Sequence, residues 1–399
     1  MTAGGDSAGA TVSIPDLLGQ ANERVDAFVD ELRSMVDIDC GSYTPDGVNR
    51  IADAMARRFE SEGWSIERRR HEPPEDEPQL GDLLIGRVEG ANPSGRTVLL
   101  VGHMDTVFPE GTAAERPFVI REGRAMGPGV SDMKGGLLLG RYAVACLRAI
   151  GFDDFARITY CCNPDEEIGS PFSGPHILEI AREVDACFVL EGARENGDVV
   201  SARKGVVDVR VAYHGRSSHA GVEPERGRSA ILQAAHATVA LQALNGMLPG
   251  VTVNVGVVNG GTRANVVPDL CELAVDVRAP TVDAFEAAVA EVRRVAGEIV
   301  VPDVTAEVDP EPGFPPMERT PATAHLAERA KAIAAEIGVP LNDASTGGGS
   351  DASPISGIGV AVLDGLGPIG GDDHSPKEWL EVASIPSRMA ILAGLIAGA

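Results

Sequence analysis

Several short apolar runs of this chain end directly in histidines or acids, and this repeated arrangement constrains the fold more than any other feature. The clearest run is Thr97-Val-Leu-Leu-Val-Gly-His103, which is rich in leucine and β-branched residues and too short for a typical helix. Helical patterns alternate with such runs at 49–62, 134–148 and 174–183. Strands that alternate with helices form a mainly parallel sheet, whose carboxyl ends line a crevice. The sequence therefore predicts an α/β fold with these polar side chains at one edge of the sheet.

The residues at the strand ends are of the types that bind divalent cations. Asp105 lies two residues after His103 and projects to the same side, so it can orient one ring nitrogen while the other faces a metal. Asp132 lies in a loop before an apolar helix, where its two oxygens can bridge two cations. Glu166 and Glu167 follow turn residues on irregular chain and can point in different directions. One of them can therefore bind metal while the other transfers protons.

Two further candidates complete the set. Glu191 ends another apolar strand, and His374 lies far downstream in Gly370-Gly-Asp-Asp-His374-Ser-Pro. Two ions about 3.5–4 Å apart need a bridging carboxylate, a few terminal ligands and an activated water. Mixed imidazole and carboxylate ligands suit two Zn²⁺ ions, and Co²⁺ or Mn²⁺ are compatible with them. Each residue taken alone is more often a cap or an ion-pair partner, but together they favour a two-metal hydrolase site.

The same residues carry a resemblance to a known family. The matching motifs are His103-x-Asp105, Gly129-x-x-Asp132-Met-Lys-Gly-Gly, Asp165-Glu-Glu-x-Gly169, Glu191 and His374-Ser. They resemble the dinuclear zinc peptidases related to glutamate carboxypeptidase, a family that includes acetylornithine deacetylase, succinyl-diaminopimelate desuccinylase, aminoacylases and some di- and tripeptidases. The resemblance covers nearly the whole chain. Gly347-Gly-Gly-Ser-Asp351-Ala and Asn265-Val-Val-Pro268 are most similar to the glutamate carboxypeptidase branch.

The resemblance implies a role for each residue of the site. His103 and Glu191 would bind one ion, Glu167 and His374 the other, and Asp132 both, with Glu166 as the general base and Asp105 as the residue that orients His103. It also implies that the Asp132–Met133 peptide is cis.

The order of elements changes near residue 203, which predicts a second domain. At 399 residues the chain exceeds what one core usually supports. The patterns then read strand (206–213), helix (228–244), strands (251–258 and 271–278), helix (282–296) and strand (304–308). This is the βαββαβ order of a ferredoxin-like unit. We therefore predict an inserted domain at 203–315, a Pro-rich linker at 310–316, and a catalytic domain made of 1–202 plus 316–399.

The resemblance implies that the inserted domain serves as a lid and mediates a homodimer. His219, in Ser217-Ser-His219-Ala-Gly221, would then reach the partner's site and stabilise the oxyanion. Asn265 and Arg278 would bind a free substrate carboxylate, since a guanidinium matches that group. Gly349 and Ser350 of the glycine-rich motif would also contact substrate. An exposed turn position remains open for His219, and a surface ion pair in place of a substrate contact remains open for Arg278.

Composition limits the partners. The chain has 59 acidic residues against 34 lysines and arginines, which disfavours nucleic acid and anionic membranes as partners. The six cysteines form no CxxC pair, which favours buried free thiols. The first residues lack the features of a signal peptide, so a cytoplasmic location is expected. The apolar run 389–399 is too short to span a bilayer and is expected to be a buried helix.

Three functions remain compatible with these patterns. The leading prediction is a carboxypeptidase that releases a C-terminal amino acid, with glutamate as one candidate, from a peptide or an N-acyl conjugate. The alternative is an N-acyl-amino-acid deacylase, and a more remote one is a non-catalytic metal-binding protein. Nucleotide binding is disfavoured because Asp132 stands where a dinucleotide loop needs its third glycine, and Gly215-Arg-Ser-Ser-His is not a serine nucleophile elbow.

Overall fold

The structure is a computed structural model that describes residues 12–246, 248–311 and 313–398. The helices are α1 (Ile14–Asn22), α2 (Val25–Val36), α3 (Pro45–Ser61), α4 (Thr112–Glu115), α5 (Gly135–Ala149), α6 (Ser173–Ala181), α7 (Ala230–Gln242), α8 (Val282–Ala296), α9 (Pro321–Glu336), α10 (Ala352–Gly357) and α11 (Ile385–Gly398). The strands are β1 (Ser65–Arg69), β2 (Leu83–Glu89), β3 (Thr97–His103), β4 (Val119–Arg121), β5 (Arg124–Met126), β6 (Arg157–Asn163), β7 (Ala186–Val189), β8 (Val199–Arg203), β9 (Gly205–His214), β10 (Thr252–Gly260), β11 (Leu270–Ala279), β12 (Thr305–Pro310), β13 (Asp343–Thr346), β14 (Ala361–Leu363), β15 (Gly370–Gly371) and β16 (Trp379–Glu381). The N-terminal segment on which the predicted location depends lies outside the described residues.

Local sequence explains where several helices begin. Ser13 caps α1, because its hydroxyl accepts from the Asp16 N–H, and a proline follows at the first helical positions. Thr320 caps α9 in the same way, again before a proline. Helix α5 is apolar on nearly all sides and is buried almost along its whole length, as expected for a helix inside a layered core.

The first compact unit is built on a six-stranded mixed sheet with the order β1-β2-β6-β3-β7-β14. The β6–β3, β3–β7 and β7–β14 pairs are parallel, while β1 and β2 add antiparallel pairings at one edge. Helix α11 packs on α1, α5 and α9, and these helices share one apolar core with the sheet. The predicted α/β class with a mainly parallel sheet is confirmed.

Strand register aligns the carboxyl ends of the central strands. His103 pairs with Asn163 across β3 and β6, and Val101 pairs with Val189 across β3 and β7. The chain therefore leaves β3, β6 and β7 at the same edge of the sheet, as the sequence predicts.

The second compact unit is a four-stranded antiparallel sheet with the order β10-β11-β9-β12, on which α7 and α8 pack. Alternate residues of β9 are buried, as expected when one face of a sheet covers a core. Strand order and helix positions match the predicted ferredoxin-like unit.

The unit boundaries differ in detail from the sequence-based ranges. The first unit contains the described residues to Ser201, Arg319–Ser345 and the chain from Pro354 onward, and the second contains Ala202–Glu318 and Thr346–Ser353. The Pro-rich stretch is more than a linker, because Phe314 accepts a hydrogen bond from the Val206 N–H at 2.8 Å. The segment beginning at Thr346 joins the second unit because Thr346 accepts from the Lys204 N–H at 3.0 Å. Such contacts between residues distant in sequence leave no local pattern.

The cysteines and the C-terminal apolar run are arranged as the sequence predicts. All six cysteines are buried free thiols, as predicted. The C-terminal apolar run forms the buried helix α11, which has 14 residues. Within the described part of the chain, no helix is both long and apolar enough to cross a membrane.

Candidate metal centre

The candidate ligands come from five points of the first unit. His103 is the last residue of β3, Glu167 lies in a short 3-10 turn after β6, and Glu191 follows β7. Asp132 lies in the irregular turn before α5, and His374 lies in the connection between β15 and β16. Strand ends and loops can hold these side chains together because the parallel strands end at one edge.

His103, Asp132 and Glu191 form the first group. The Nε2 atom of His103 lies 3.0 Å from Oδ1 of Asp132 and 3.7 Å from Oε1 of Glu191. One potential ligand atom from each residue lies within 4.8 Å of those from the other two. The three atoms can therefore surround one cation.

Asp132, Glu167 and His374 form the second group. The Nε2 atom of His374 lies 3.0 Å from Oδ2 of Asp132 and 3.2 Å from Oε2 of Glu167. Asp132 thus directs one oxygen to each histidine, which is the arrangement that a carboxylate bridging two cations requires. The side chain of His374 is 55% exposed, so the second group is open to solvent.

The donor atoms fit a pair of divalent metal ions. Glu167 Oε1 is buried and has no hydrogen-bond partner, which is costly unless a cation or another donor satisfies it. Two imidazoles and three carboxylates form a donor set that suits zinc. The five expected ligands thus lie together in two groups that share Asp132.

The clustered acids raise the pKa values of both histidines. Burial would lower the pKa of His103, but Glu191 and the other neighbouring carboxylates raise it well above its ordinary value. Hydrogen bonds to Asp132 and Glu167 raise the pKa of His374 to about 11. Burial raises the pKa of Glu191 to about 7, against the attraction of His103. Divalent cations would supply the positive charge that these protons supply here.

Asp105 connects the first histidine to the glutamate turn. Nδ1 of His103 donates to the main-chain oxygen of Asp105 at 3.0 Å, and the Asp105 carboxylate lies slightly farther away, at 3.4 Å. This contact places the ring proton on Nδ1 and directs Nε2 toward the first group. The carboxylate accepts mainly from the N–H groups of Glu166 and Glu167, at 3.1 and 3.2 Å, and from the hydroxyl of Ser42 at 2.7 Å. Asp105 therefore orients both a histidine and the turn that carries two glutamates.

Glu166 lies beside the ligands but belongs to neither group of the described residues. It opens the turn Glu166–Ile168, and its neighbour Glu167 directs its carboxylate to His374. The side chain of Glu166 is partly exposed. Glu166 is thus the adjacent glutamate that stays outside the two groups, and its role as the base stays a prediction.

Close packing explains the glycines of the Asp132 motif. Gly129 has a φ of 75°, a conformation that favours glycine. A Cβ atom on Gly136 would lie 1.9 Å from the carbonyl oxygen of Leu190, so only glycine lets α5 begin this close to the end of β7. The Asp132–Met133 peptide is cis, as the resemblance predicts.

The structure adds one residue that the sequence reasoning missed. Glu378 is 1% exposed, and its carboxylate accepts hydrogen bonds from the N–H groups of Gly129, Ser131 and Asp132. Burial raises its pKa to about 7, while the three N–H groups oppose that shift. The only sequence signal was an acid four residues after His374, which is not informative by itself.

Comparison with known proteins identifies the family. The sequence profile of peptidase family M20/M25/M40 matches residues 99–398, a stretch that contains every residue of the two groups. This chain belongs to peptidase family M20/M25/M40. The family predicted from the motifs is confirmed, and the protein is a hydrolytic enzyme of a metal-dependent family of peptidases and deacylases.

Individual M20 relatives are similar over most of the chain. Carboxypeptidase G2 of Pseudomonas sp. (strain RS-16) is 28% identical over 383 residues, which cover 95% of this chain and 91% of the relative. Succinyl-diaminopimelate desuccinylase of Methylobacterium radiotolerans is 29% identical over 377 residues, covering 89% and 92%. The crystal structure of aminopeptidase PepT from Bacillus cereus superposes with a TM-score of 0.75 at 23% identity and covers 94% of this chain and 98% of PepT. That structural likeness supports the fold alone.

His219, expected to stabilise the oxyanion, and Asn265, expected to bind substrate, lie on neighbouring segments of the second unit of this M20 enzyme. His219 forms an isolated β-bridge with Val266, and the Ala220 N–H donates to the Asn265 carbonyl at 3.0 Å. Nδ1 of His219 accepts from the Gly221 N–H at 3.2 Å. The ring proton is therefore on Nε2, which can act as a donor.

The other expected substrate residues have structural partners. Arg278 makes a bidentate ion pair with Asp276 and donates from Nη1 to the carbonyl of Gly347 at 2.8 Å. Gly349 accepts from Arg203 at 3.2 Å. Ser350 is 1% exposed, and its hydroxyl oxygen accepts from the N–H of Ala352. The arginines thus hold the glycine-rich loop, and a contact between these residues and substrate stays a prediction.

Proposed function

We propose that this enzyme is a metal-dependent amide hydrolase of the glutamate carboxypeptidase type. It would release a C-terminal amino acid from a peptide or an N-acyl conjugate. The observation that carries the proposal is the position of Asp132, whose two oxygens each lie 3.0 Å from the imidazole of a different histidine. A further acid completes each group, and this is the ligand arrangement of two-metal hydrolysis.

The remaining residues supply the proton transfers. Two divalent ions, with Zn²⁺ as the preferred pair, would polarise the scissile carbonyl and acidify a water toward a pKa of about 7. Glu166 would accept the proton of the attacking water while the new C–O bond forms. It would then give that proton to the leaving nitrogen as the C–N bond breaks. Asp105 supports both functions, because it holds the Glu166 N–H and the orientation of His103.

The role of Glu166 can be tested by Glu166→Gln. The amide has nearly the same shape but cannot accept the proton, so kcat should fall by about 10²–10⁴-fold. Metal content, measured by elemental analysis, should stay at the wild-type level. Glu179→Gln is the matched control, because that side chain is 68% exposed and pairs with Arg69 on α6 and β1. A Glu166→Gln variant with full metal content and more than a tenth of the wild-type kcat would contradict the assignment.

Substrate selectivity decides between the carboxypeptidase and deacylase proposals. Similarity to carboxypeptidase G2 over 95% of the chain supports the first, and similarity to the desuccinylase over 89% supports the second. The decisive experiment compares N-acetyl, N-succinyl, N-aryl and dipeptide forms of glutamate, ornithine and neutral amino acids. We expect kcat/KM to depend most on the released amino acid. A C-terminal amide in place of the free carboxylate should lower kcat/KM by about 10–100-fold, since a charge-assisted contact is lost. A strong preference for one acyl group, with tolerance of that amide, would favour the deacylase.

We also propose that the enzyme is a homodimer in which His219 of one subunit stabilises the oxyanion in the other. The proposal is supported by the family resemblance and by the donor that His219 offers through Nε2. His219→Ala and Glu166→Gln proteins should each be nearly inactive, and mixing them after subunit exchange should restore activity. A monomer that is active at assay concentration, or no recovery in confirmed mixed dimers, would contradict this arrangement.

A further inference from the structure

The strongest unexplained feature is the buried carboxylate of Glu378. Its Oε1 accepts from the N–H groups of Ser131 and Asp132 at 2.8 and 3.0 Å, and Oε2 accepts from the Gly129 N–H at 2.8 Å. No described lysine, arginine or histidine forms an ion pair with it. The carboxylate therefore interacts chiefly with the backbone of the loop that contains Asp132.

The loop needs such an acceptor because it is not helical where Asp132 lies. Asp132 has φ −114° and ψ 90°, and Met133 also departs from helical geometry. The N–H groups of Gly129, Ser131 and Asp132 converge on one place, and no helical carbonyl accepts from them. Converging backbone N–H groups form a site that favours an anion. The Glu378 carboxylate occupies that site and fixes the loop.

Glu378 belongs to the same hairpin as His374. Gly370 of β15 pairs with Leu380 of β16. The segment that connects these two strands contains His374, and Glu378 is its last residue. The hairpin also lies close to the Asp132 loop, because a Cβ atom on Gly370 would be 2.2 Å from Ser131 Oγ. One segment therefore carries both a candidate ligand and the anchor of the shared carboxylate.

We propose that Glu378 is a positioning residue for the metal centre. By holding the backbone of Gly129, Ser131 and Asp132, it directs the two oxygens of Asp132 toward the two histidines and keeps His374 in register with them. It touches neither substrate nor metal in this role. Residues that orient metal ligands typically change metal affinity by about 10–100-fold when they are mutated.

A purely structural role of Glu378 would have different consequences from a positioning role. Any buried group with three hydrogen bonds stabilises the fold, so loss of stability alone would not support positioning. Metal affinity of the folded protein and the ligand field of a bound ion report on the geometry of Asp132. These readouts need no substrate, so the result is independent of which amide the enzyme cleaves.

The experiment compares Glu378→Gln with Glu31→Gln in the full-length protein. Glutamine keeps the size of Glu378 but has one acceptor oxygen, and its NH₂ group faces at least one of the three N–H donors. Glu31 is a partly buried acid that pairs with Arg141 at 2.6 Å, but it is remote from the metal groups in sequence and contacts none of their residues in a hydrogen bond. For each metal-stripped protein we would measure Co²⁺ dissociation constants, the visible spectrum of bound Co²⁺ and the thermal unfolding midpoint.

We expect Glu378→Gln to bind Co²⁺ about 10–100-fold more weakly and with an altered spectrum, at a temperature where the protein is fully folded. Glu31→Gln should lower the unfolding midpoint and leave affinity and spectrum unchanged. Wild-type affinity and spectrum in folded Glu378→Gln would overturn the proposal and leave a structural role. If Glu378→Gln does not fold, Glu378→Asp keeps the charge on a side chain one methylene shorter, and we expect weaker binding there too. Wild-type affinity in Glu378→Asp would then overturn the proposal.

Discussion

Asp105→Asn tests whether the two ion groups depend on one buried carboxylate. Asp105 is fully buried, and its Oδ2 accepts from the Ser42 hydroxyl at 2.7 Å and the Glu167 N–H at 3.2 Å. Its Oδ1 accepts from the Glu166 N–H at 3.1 Å and lies 3.4 Å from Nδ1 of His103. All four neighbours can donate, so the site requires two acceptor oxygens.

Asparagine offers only one acceptor oxygen in the same space. If its NH₂ group replaces Oδ2, the Ser42 hydroxyl can turn and accept, but the Glu167 N–H then faces a donor. If the NH₂ group replaces Oδ1, it faces both the Glu166 N–H and the imidazole N–H. The first orientation costs less, and one unsatisfied N–H costs about 1–3 kcal/mol. The free energy of unfolding of the metal-free protein should fall by about that amount.

The same change should also weaken metal binding. Glu167 belongs to the second group and His103 to the first, so disturbing Asp105 should lower the affinity for metal by about 10–100-fold. Urea unfolding of the metal-free protein and Zn²⁺ competition titrations measure the two effects. Ser42→Ala is the control, because it removes one hydroxyl hydrogen bond, worth about 1 kcal/mol, and leaves both backbone donors satisfied. Wild-type stability together with wild-type Zn²⁺ affinity in Asp105→Asn would refute the reasoning.

The pKa of His374 and the close packing of Gly136 can each be tested. Because its hydrogen bonds to two carboxylates raise the pKa of His374 to about 11, that residue is protonated at pH 8 and must release a proton when metal binds. Calorimetry in two buffers of different ionisation enthalpy should show this release, and metal affinity should rise with pH; no release would contradict it. The raised pKa of His374 stabilises the metal-free fold fully below about pH 6.5, the ordinary pKa of histidine. The unfolding midpoint of the metal-free protein should therefore fall as the pH rises from there toward 11. Gly136→Ala should cost at least about 1–3 kcal/mol in denaturant unfolding, because its Cβ would lie 1.9 Å from the Leu190 oxygen. In Gly174→Ala, where the nearest atom is 3.4 Å away, stability should change little, and equal effects would contradict the packing argument.

The sequence predicted what depends on local patterns. The apolar run ending in His103 and the periodicity of the second unit identified the strands, because strand and helix repeats are short-range properties. Asp132 was placed correctly in a loop before a helix. The second unit extends past residue 315 to Glu318, because Met317 and Arg203 exchange main-chain hydrogen bonds across 114 positions and leave no local pattern.

Other parts of the site could not be predicted for the same reason. Ser42 contacts Asp105 across 63 positions, and Glu378 contacts Gly129 across 249. Neither residue has a neighbouring motif that indicates its partner. Arg278 pairs with Asp276 two residues away, a partner that the sequence did not indicate, and its contact with substrate stays a prediction. The residue type was informative about possible chemistry, but the partner depends on the tertiary structure.

Two buried carboxylates shape this metal centre from outside the ligand groups. Asp105 holds the turn of Glu167 through backbone N–H groups, and Glu378 holds the loop of Asp132 in the same way. These contacts fix the backbone from which two of the candidate ligands extend. A cation bound there competes with the protons of His103 and His374, because neighbouring carboxylates raise the pKa of both rings. For His374 these carboxylates are Asp132 and Glu167. Metal affinity should therefore rise with pH, and weakening Asp105 or Glu378 should change the geometry of the ligands that they hold.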